Sequence, residues 1–198
     1  MIETMNYDPL YSFVFRGLLT EEALDSAGRQ HRHVFSEGWE SETSIRLAIP
    51  FLDEELVKKS RKMAVVYTAI CAFENSVRDF ISKKLLEEKG EKWWELCVKA
   101  EIRKKADDRK NAEKDVRWLT QRGNSMIHYT DFGDLIAIMG KPENWVFFEV
   151  HIVSLDWAKQ IINTLEKSRN VIMHSGELDP KDIERVGTYI RDWVRQVG

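Results

Sequence analysis

Arg169, Asn170 and His174 fall close together in the run Arg169-Asn170-Val171-Ile172-Met173-His174, at the end of a long apolar-periodic stretch and just before Ser175-Gly176. Histidine exchanges a proton near neutral pH. Arginine grips the non-bridging oxygens of a phosphate with a two-pronged fork. An amide beside them can orient either the phosphate or the imidazole. Together these are the parts needed to open an RNA phosphodiester without a metal: an acid or base at the ribose 2′-hydroxyl or the leaving 5′-oxygen, and a fixed cation on the charge that develops at phosphorus. The loose spacing of arginine and histidine is weak by itself, since about one match is expected by chance in such a chain. Arg122 and His128 make a second match, in an irregular segment that begins Arg-Gly and lacks a helix-end setting. His128, like His151, is expected to hydrogen-bond locally.

The elements that must carry these residues are helices. Prolines stand only at positions 9, 50, 142 and 180, leaving long stretches free to coil. A first long helix is predicted from Asp53 to about Lys89, stopping at Gly90, with Met63, Val66, Tyr67, Ile70, Val77 and Ile81 on one stripe. A second is predicted over about Glu91 to Leu119. Gly123 to Trp145 reads as shorter and broken, with a small helix after Asp131 or Asp134; in Phe132-Gly133-Asp134-Leu135, Gly133 permits a turn and Asp134 caps the next short helix. A third long helix is expected over Ser154 to Met173, and a fourth from Asp179 to Val197, with Asp179 as N-cap and Pro180 at the first helical position. No convincing sheet is present. The predicted class is all-α: an up-and-down four-helix bundle over residues 53–198, with additional short helices, behind an irregular N-terminal extension, residues 1–52. The extension shows aromatic alternation at Tyr11, Phe13 and Phe15 and a short helix after Thr20, led by Glu21 and Glu22. His31 and His33 there have no metal-ligand company nearby.

Two of the stripes are interrupted by charge. In the third long helix Leu155, Ala158, Ile161, Ile162, Leu165 and Ile172 share a face, and Arg169 falls near its centre. In the first, Glu74 lies in line with Ile70, Val77 and Ile81, and Arg78 is one turn on. An uncompensated charge on a core-facing stripe costs several kcal/mol, so Glu74 is expected to pair with Arg169 or Arg78. Either the pair is purely structural, or it lines a cleft in which Glu74 orients the phosphate-gripping arginine. Arg169 and His174 would stand about 140° apart on a continuous helix. To converge, the helix must end near Met173, with glycine in a left-handed conformation at Ser175-Gly176, or the groups must meet through a partner chain.

Composition narrows the function classes. With 30 basic and 33 acidic residues the net charge is −3, unlike a protein that coats nucleic acid by neutralising many phosphates. A small cleft needs only a few cations. The most basic run, Lys99 to Lys114, is interrupted by Glu101, Asp107, Asp108 and Glu113 and reads as a solvated helix face. No stretch approaches the roughly 18 apolar residues that cross a bilayer, and Met1 to Pro9 lacks the basic start of a secretory signal. Cys71 and Cys97 read as buried thiols of a reducing cytoplasm. The five histidines are scattered without ligand spacing, so neither metal nor cofactor is expected. Trp93, Trp94, Trp118, Trp157 and Trp193 are assigned to the core or a dimer interface, and Gly187 to a close helix crossing.

The motif and its surroundings resemble the HEPN superfamily of helical-bundle proteins, whose tight motif, Arg-polar-x-x-x-His at the end of the third principal helix, matches Arg169 to His174. A second resemblance is to the branch found at the C-terminus of a yeast nuclear endoribonuclease and in bacterial proteins. It rests on Tyr67-Thr68-Ala69-Ile70-Cys71-Ala72-Phe73-Glu74-Asn75-Ser76-Val77-Arg78-Asp79-Phe80-Ile81, on His128-Tyr129-Thr130-Asp131-Phe132-Gly133-Asp134-Leu135, and on Trp145 and Phe148. It covers about residues 55 to 198. The resemblance implies a metal-independent endoribonuclease, active as a homodimer whose two chains line one cleft with Arg169 and His174, with Asn170 orienting the phosphate or the histidine; the interrupted stripes add Glu74 and Arg78 as supporting residues. RNA is the implied substrate, and an antitoxin or regulatory protein a partner. Phage defence or toxin–antitoxin control is the implied setting. The rival reading is a non-catalytic module for nucleic-acid or nucleotide binding, or for dimerisation.

Overall fold

A computed structural model describes Thr20 and residues 37–197. The expectations for Tyr11, Phe13, Phe15, the helix led by Glu21 and Glu22, His31 and His33 lie outside the described residues. The chain divides into two compact units, Met1–Glu54 and Glu55–Gly198. In the first, helix α1 (Glu37–Arg46) carries an Arg46–Glu42 ion pair one turn apart, and a 3-10 turn follows over Ile49–Phe51.

The second unit is built on α2 (Glu54–Lys89). Its apolar stripe is buried at Met63, Val66, Ile70, Phe73, Val77, Ile81 and Leu85, the one-sided pattern that docks a helix on a core. The helix ends at Gly90, whose φ of 67° is the left-handed conformation glycine adopts without a Cβ penalty.

The expected single helix over Glu91 to Leu119 is instead broken. A turn over Gly90–Lys92 leads into α3 (Trp93–Cys97), and α4 starts afresh at Ala100–Asp115. Val98 and Lys99 between them are extended, and Val98 is buried in the core. Distant side chains take the carbonyls that continued helix would have satisfied: the buried Asn144 amide donates to the Cys97 carbonyl at 3.0 Å, and Lys141 to that of Leu96 at 3.0 Å. Trp118 lies beyond α4 and is 86% exposed, so it does not fill the core.

After the 3-10 turn Met126–Tyr129 comes the short α5 (Phe132–Met139). Asp131, not Asp134, is its N-cap; Asp134 reaches back one turn to accept the Asp131 backbone N–H at 3.0 Å. Gly133 is inside the first turn, where its N–H donates to Glu166 at 3.3 Å. Then come α6 (Pro142–Phe148), α7 (Leu155–Met173) and α8 (Pro180–Val197). Ser154 caps α7 by accepting from the Trp157 N–H at 3.1 Å. Asp179 caps α8, accepting from Lys181 at 2.8 Å and Asp182 at 3.0 Å.

The core joins α2 to α5, α7 and α8. Phe73 meets the Trp193 ring edge-on at 5.5 Å, and Trp157 stacks on Trp193 at 5.7 Å. Ala158, Ile161, Ile162 and Leu165 of α7 are buried as their periodicity requires. Gly187 serves no helix crossing: a Cβ there would meet only the tip of Arg191, from its own helix. Among the described residues there is no strand, and the fold is all-α. No helix there is long and apolar enough to cross a membrane.

Candidate active site

The apolar stripes of α2 and α7 both give way to charge at the same place. Glu74 is 6% exposed and Arg78 9%, so each needs a partner on burial. Arg169, near the end of α7, donates Nη1 to both carboxylate oxygens of Glu74, at 2.9 and 3.1 Å. Arg78 donates Nη2 to the same carboxylate at 2.5 Å. The expected alternative between Arg169 and Arg78 is thus resolved as both, and one carboxylate holds two guanidinium groups.

Arg78 does more than neutralise Glu74. Its Nε donates to the Ile127 carbonyl at 3.3 Å and its Nη2 to that of Thr130 at 3.3 Å. These carbonyls belong to the 3-10 turn and its exit. A continuous chain of hydrogen bonds therefore runs from this turn through Arg78 and Glu74 to Arg169 on α7. Arg109 fixes the far side of the same segment, reaching the Tyr129 carbonyl at 2.7 Å and Asp131 at 2.5 Å. The basic run on α4 is therefore not wholly a solvated face.

The helix carrying the motif ends at Met173, with His174 as its C-cap. Ser175, not Gly176, takes the left-handed conformation, at φ 62°. The Ser175 N–H bonds to the Ile172 carbonyl at 2.9 Å and the Gly176 N–H to that of Val171 at 2.8 Å, the paired closure of a Schellman motif. Gly176 is required for close approach: a Cβ would sit 2.7 Å from a Val171 methyl and 2.9 Å from its carbonyl oxygen. His174 keeps the helical bond from its N–H to the Asn170 carbonyl at 3.1 Å, and Arg169 and His174 nonetheless line one cleft within a single chain.

That cleft has a volume of about 680 Å³, a size suited to a small ligand or part of a larger one. The end of α7 contributes Arg169, Asn170, Met173 and His174; α2 contributes Tyr67, Cys71, Glu74, Asn75 and Arg78. The third wall is Arg122, His128, Thr130 and Asp131; Arg122 and His128 are the second arginine–histidine match of the sequence, for which no role in the site was expected. Arg122 is ion-paired to Glu113 and lies over the Tyr129 ring at 5.6 Å. The Arg169 guanidinium commits one nitrogen to Glu74. Among the described residues its one other hydrogen bond is a long one from Nη2 to Asn170 at 3.4 Å, which leaves donors for an anion. His174 is exposed and lines the cleft.

The two thiols differ. Cys71 is half-buried on the cleft wall, while Cys97 is buried. Burial pushes the Cys97 thiol up from its ordinary range, partly offset by Lys141 and Lys89, so it stays a neutral packing group. Among the described residues no group of three or more His, Cys, Asp or Glu is placed to hold a metal ion.

An all-α domain with a polar cleft at the end of α7 is the setting in which the Arg-Asn-x-x-x-His run is found. The chain matches the Swt1-like HEPN family over residues 68–198 and belongs to that family. No curated protein and no solved structure matches it.

Proposed function

We propose that this protein is a metal-independent endoribonuclease of the cytoplasm that cleaves RNA by attack of the ribose 2′-hydroxyl on the adjacent phosphate. The observation that carries this reading is the shared cleft of Arg169 and His174, with Arg169 held by the buried Glu74. A preorganised guanidinium stabilises charge developing at phosphorus without reorganising during the reaction. His174 exchanges the proton of the 2′-hydroxyl or of the leaving 5′-oxygen, and Asn170 orients the phosphate or the imidazole. Products carry 2′,3′-cyclic phosphate, and DNA, lacking the attacking hydroxyl, is inert. The active form is a homodimer with the site at its interface, restrained by an antitoxin or another regulatory protein, in phage defence or toxin–antitoxin control. Residues 53–198 form the catalytic domain and residues 1–52 a separate extension.

A specific observation favours a second reading. Each of the three cleft arginines already has a carboxylate partner: Glu74 for Arg78 and Arg169, Glu113 for Arg122. A site so neutralised also suits a module that binds a nucleotide or RNA without cutting it.

The two separate in one assay. A mixed structured RNA is incubated with protein in EDTA, comparing wild type with Arg169→Ala and His174→Ala at matched thermal stability. The nuclease reading expects cyclic-phosphate ends from wild type and a loss of about 100-fold or more in each variant. A folded wild type that binds this RNA and leaves it intact supports the module instead.

A further inference from the structure

We propose that His128 is a second proton-transfer residue of the same cleft, donating to the leaving 5′-oxygen while His174 removes the 2′-hydroxyl proton. The assignment rests on the nuclease reading above and adds to it. In-line cleavage places the attacking and leaving oxygens on opposite sides of phosphorus. One imidazole cannot serve both at once, so the second group is either the His174 of a second copy at the interface or another titratable group of the same chain. His128 lines the cleft together with His174.

The position of His128 is built from three directions. Its Nδ1 lies 3.3 Å from the Ser125 carbonyl, which can only accept, so Nδ1 carries a hydrogen and Nε2 is the nitrogen left to exchange a proton. The ring lies against the backbone of Gly123, where a Cβ would stand 2.6 Å from the imidazole Cγ; no larger residue leaves the ring in place. The turn itself is pinned by Arg78, which takes the carbonyls of Ile127 and Thr130 on either side of His128. Since Arg78 also holds Glu74, and Glu74 holds Arg169, the turn bearing His128 and the helix bearing Arg169 are joined through one buried carboxylate. A merely local hydrogen bond for His128 explains the contact to Ser125 but not its place in the cleft.

The chemistry balances. The 2′-oxygen–phosphorus bond forms and the phosphorus–O5′ bond breaks. The 2′ proton passes to the His174 imidazole, and the protonated His128 gives its Nε2 proton to O5′. Both proton-transfer groups come from one chain.

The test uses the full chain and an RNA with a 5′-bridging sulfur at a bond the wild type is shown to cut, because a thiolate departs without protonation. His128→Ala is expected to slow cleavage of ordinary RNA by about 100-fold or more and to cleave the sulfur substrate within about fivefold of wild type, the span left once the proton is no longer needed. His174→Ala is expected to be slow on both. His128→Gln, which keeps an amide donor for the Ser125 carbonyl, replaces His128→Ala if that variant loses its fold. Ordinary cleavage by a folded His128 variant within about threefold of wild type, below any acid–base contribution, overturns the assignment while leaving the nuclease reading intact. Equal losses on both substrates also overturn it, since they mark a structural or binding role. Wild type inert on ordinary RNA removes both readings together.

Discussion

At the residue scale, Glu74 is the hub, because one buried carboxylate neutralises Arg78 and Arg169 at once. Removing one member of a buried pair leaves an uncompensated charge and costs about 3–5 kcal/mol. Glu74→Ala is therefore expected to lower the urea-derived unfolding free energy by about that amount. It would strand Arg78 in particular, since Arg169, with a side chain 24% exposed, can turn to water. Arg78→Ala is expected to cost a similar amount, because it also orphans the Ile127 and Thr130 carbonyls. Arg169→Ala should fall well below both while abolishing cleavage. Equal stability losses in all three would show that Arg169 is a structural residue like the others. That ordering separates a group kept for function from groups kept for folding. It also explains why the polar positions stood out in the sequence: charge on an apolar stripe is a local signal, though the number of partners is not.

At the element scale, α7 closes in a left-handed turn immediately after His174. Ser175 holds a left-handed backbone that costs a non-glycine residue roughly 1–2 kcal/mol. Ser175→Gly is expected to raise stability by about 1 kcal/mol, read as a rise in Tm, with cleavage unchanged because His174 precedes the substituted position. Gly176→Ala is expected to lower Tm instead, since its Cβ would press on Val171 and strain the helix ending. An unchanged Tm for Ser175→Gly would count against the closure described here. The helices α2, α7 and α8 were legible because each combines a long periodic stripe with a local stop or start: Gly90, Ser154, Asp179. The break at Val98 was not, because its cause is Asn144, far along the chain, supplying the hydrogen bonds that helix would otherwise make. Gly176 was misassigned for a related reason, as glycine's freedom of φ and its lack of a Cβ are separate properties and only the second is used. The Arg169–His174 run was readable as contiguous residues. His128 stood out only in the weaker Arg122–His128 match, since its place in the cleft depends on Arg78 and Arg109 reaching its turn from α2 and α4.

At the scale of the whole molecule, the net charge of −3 and the three cleft arginines must be reconciled with a polyanionic substrate. An acidic protein does not gather RNA by its overall field; contact has to be made in the cleft, where the cations are already partnered. If all three arginines engage a single strand, the slope of log K against log salt is about −0.7 for each phosphate neutralised, or about −2 in total. A fourfold rise in salt should then weaken binding of a 2′-O-methylated, uncleavable RNA by about 20-fold. Arg122→Ala, whose side chain is 48% exposed, should reduce that slope by about 0.7, with little effect on the fold. A slope much steeper than −2 would mean that RNA docks beyond the cleft, for which α4 is a candidate, since its Arg109 and Lys110 reach the turn on the cleft wall. A shallow slope that Arg122→Ala leaves untouched would confine recognition to Arg169 and the bases, making the site a reader of one or two nucleotides rather than of a strand.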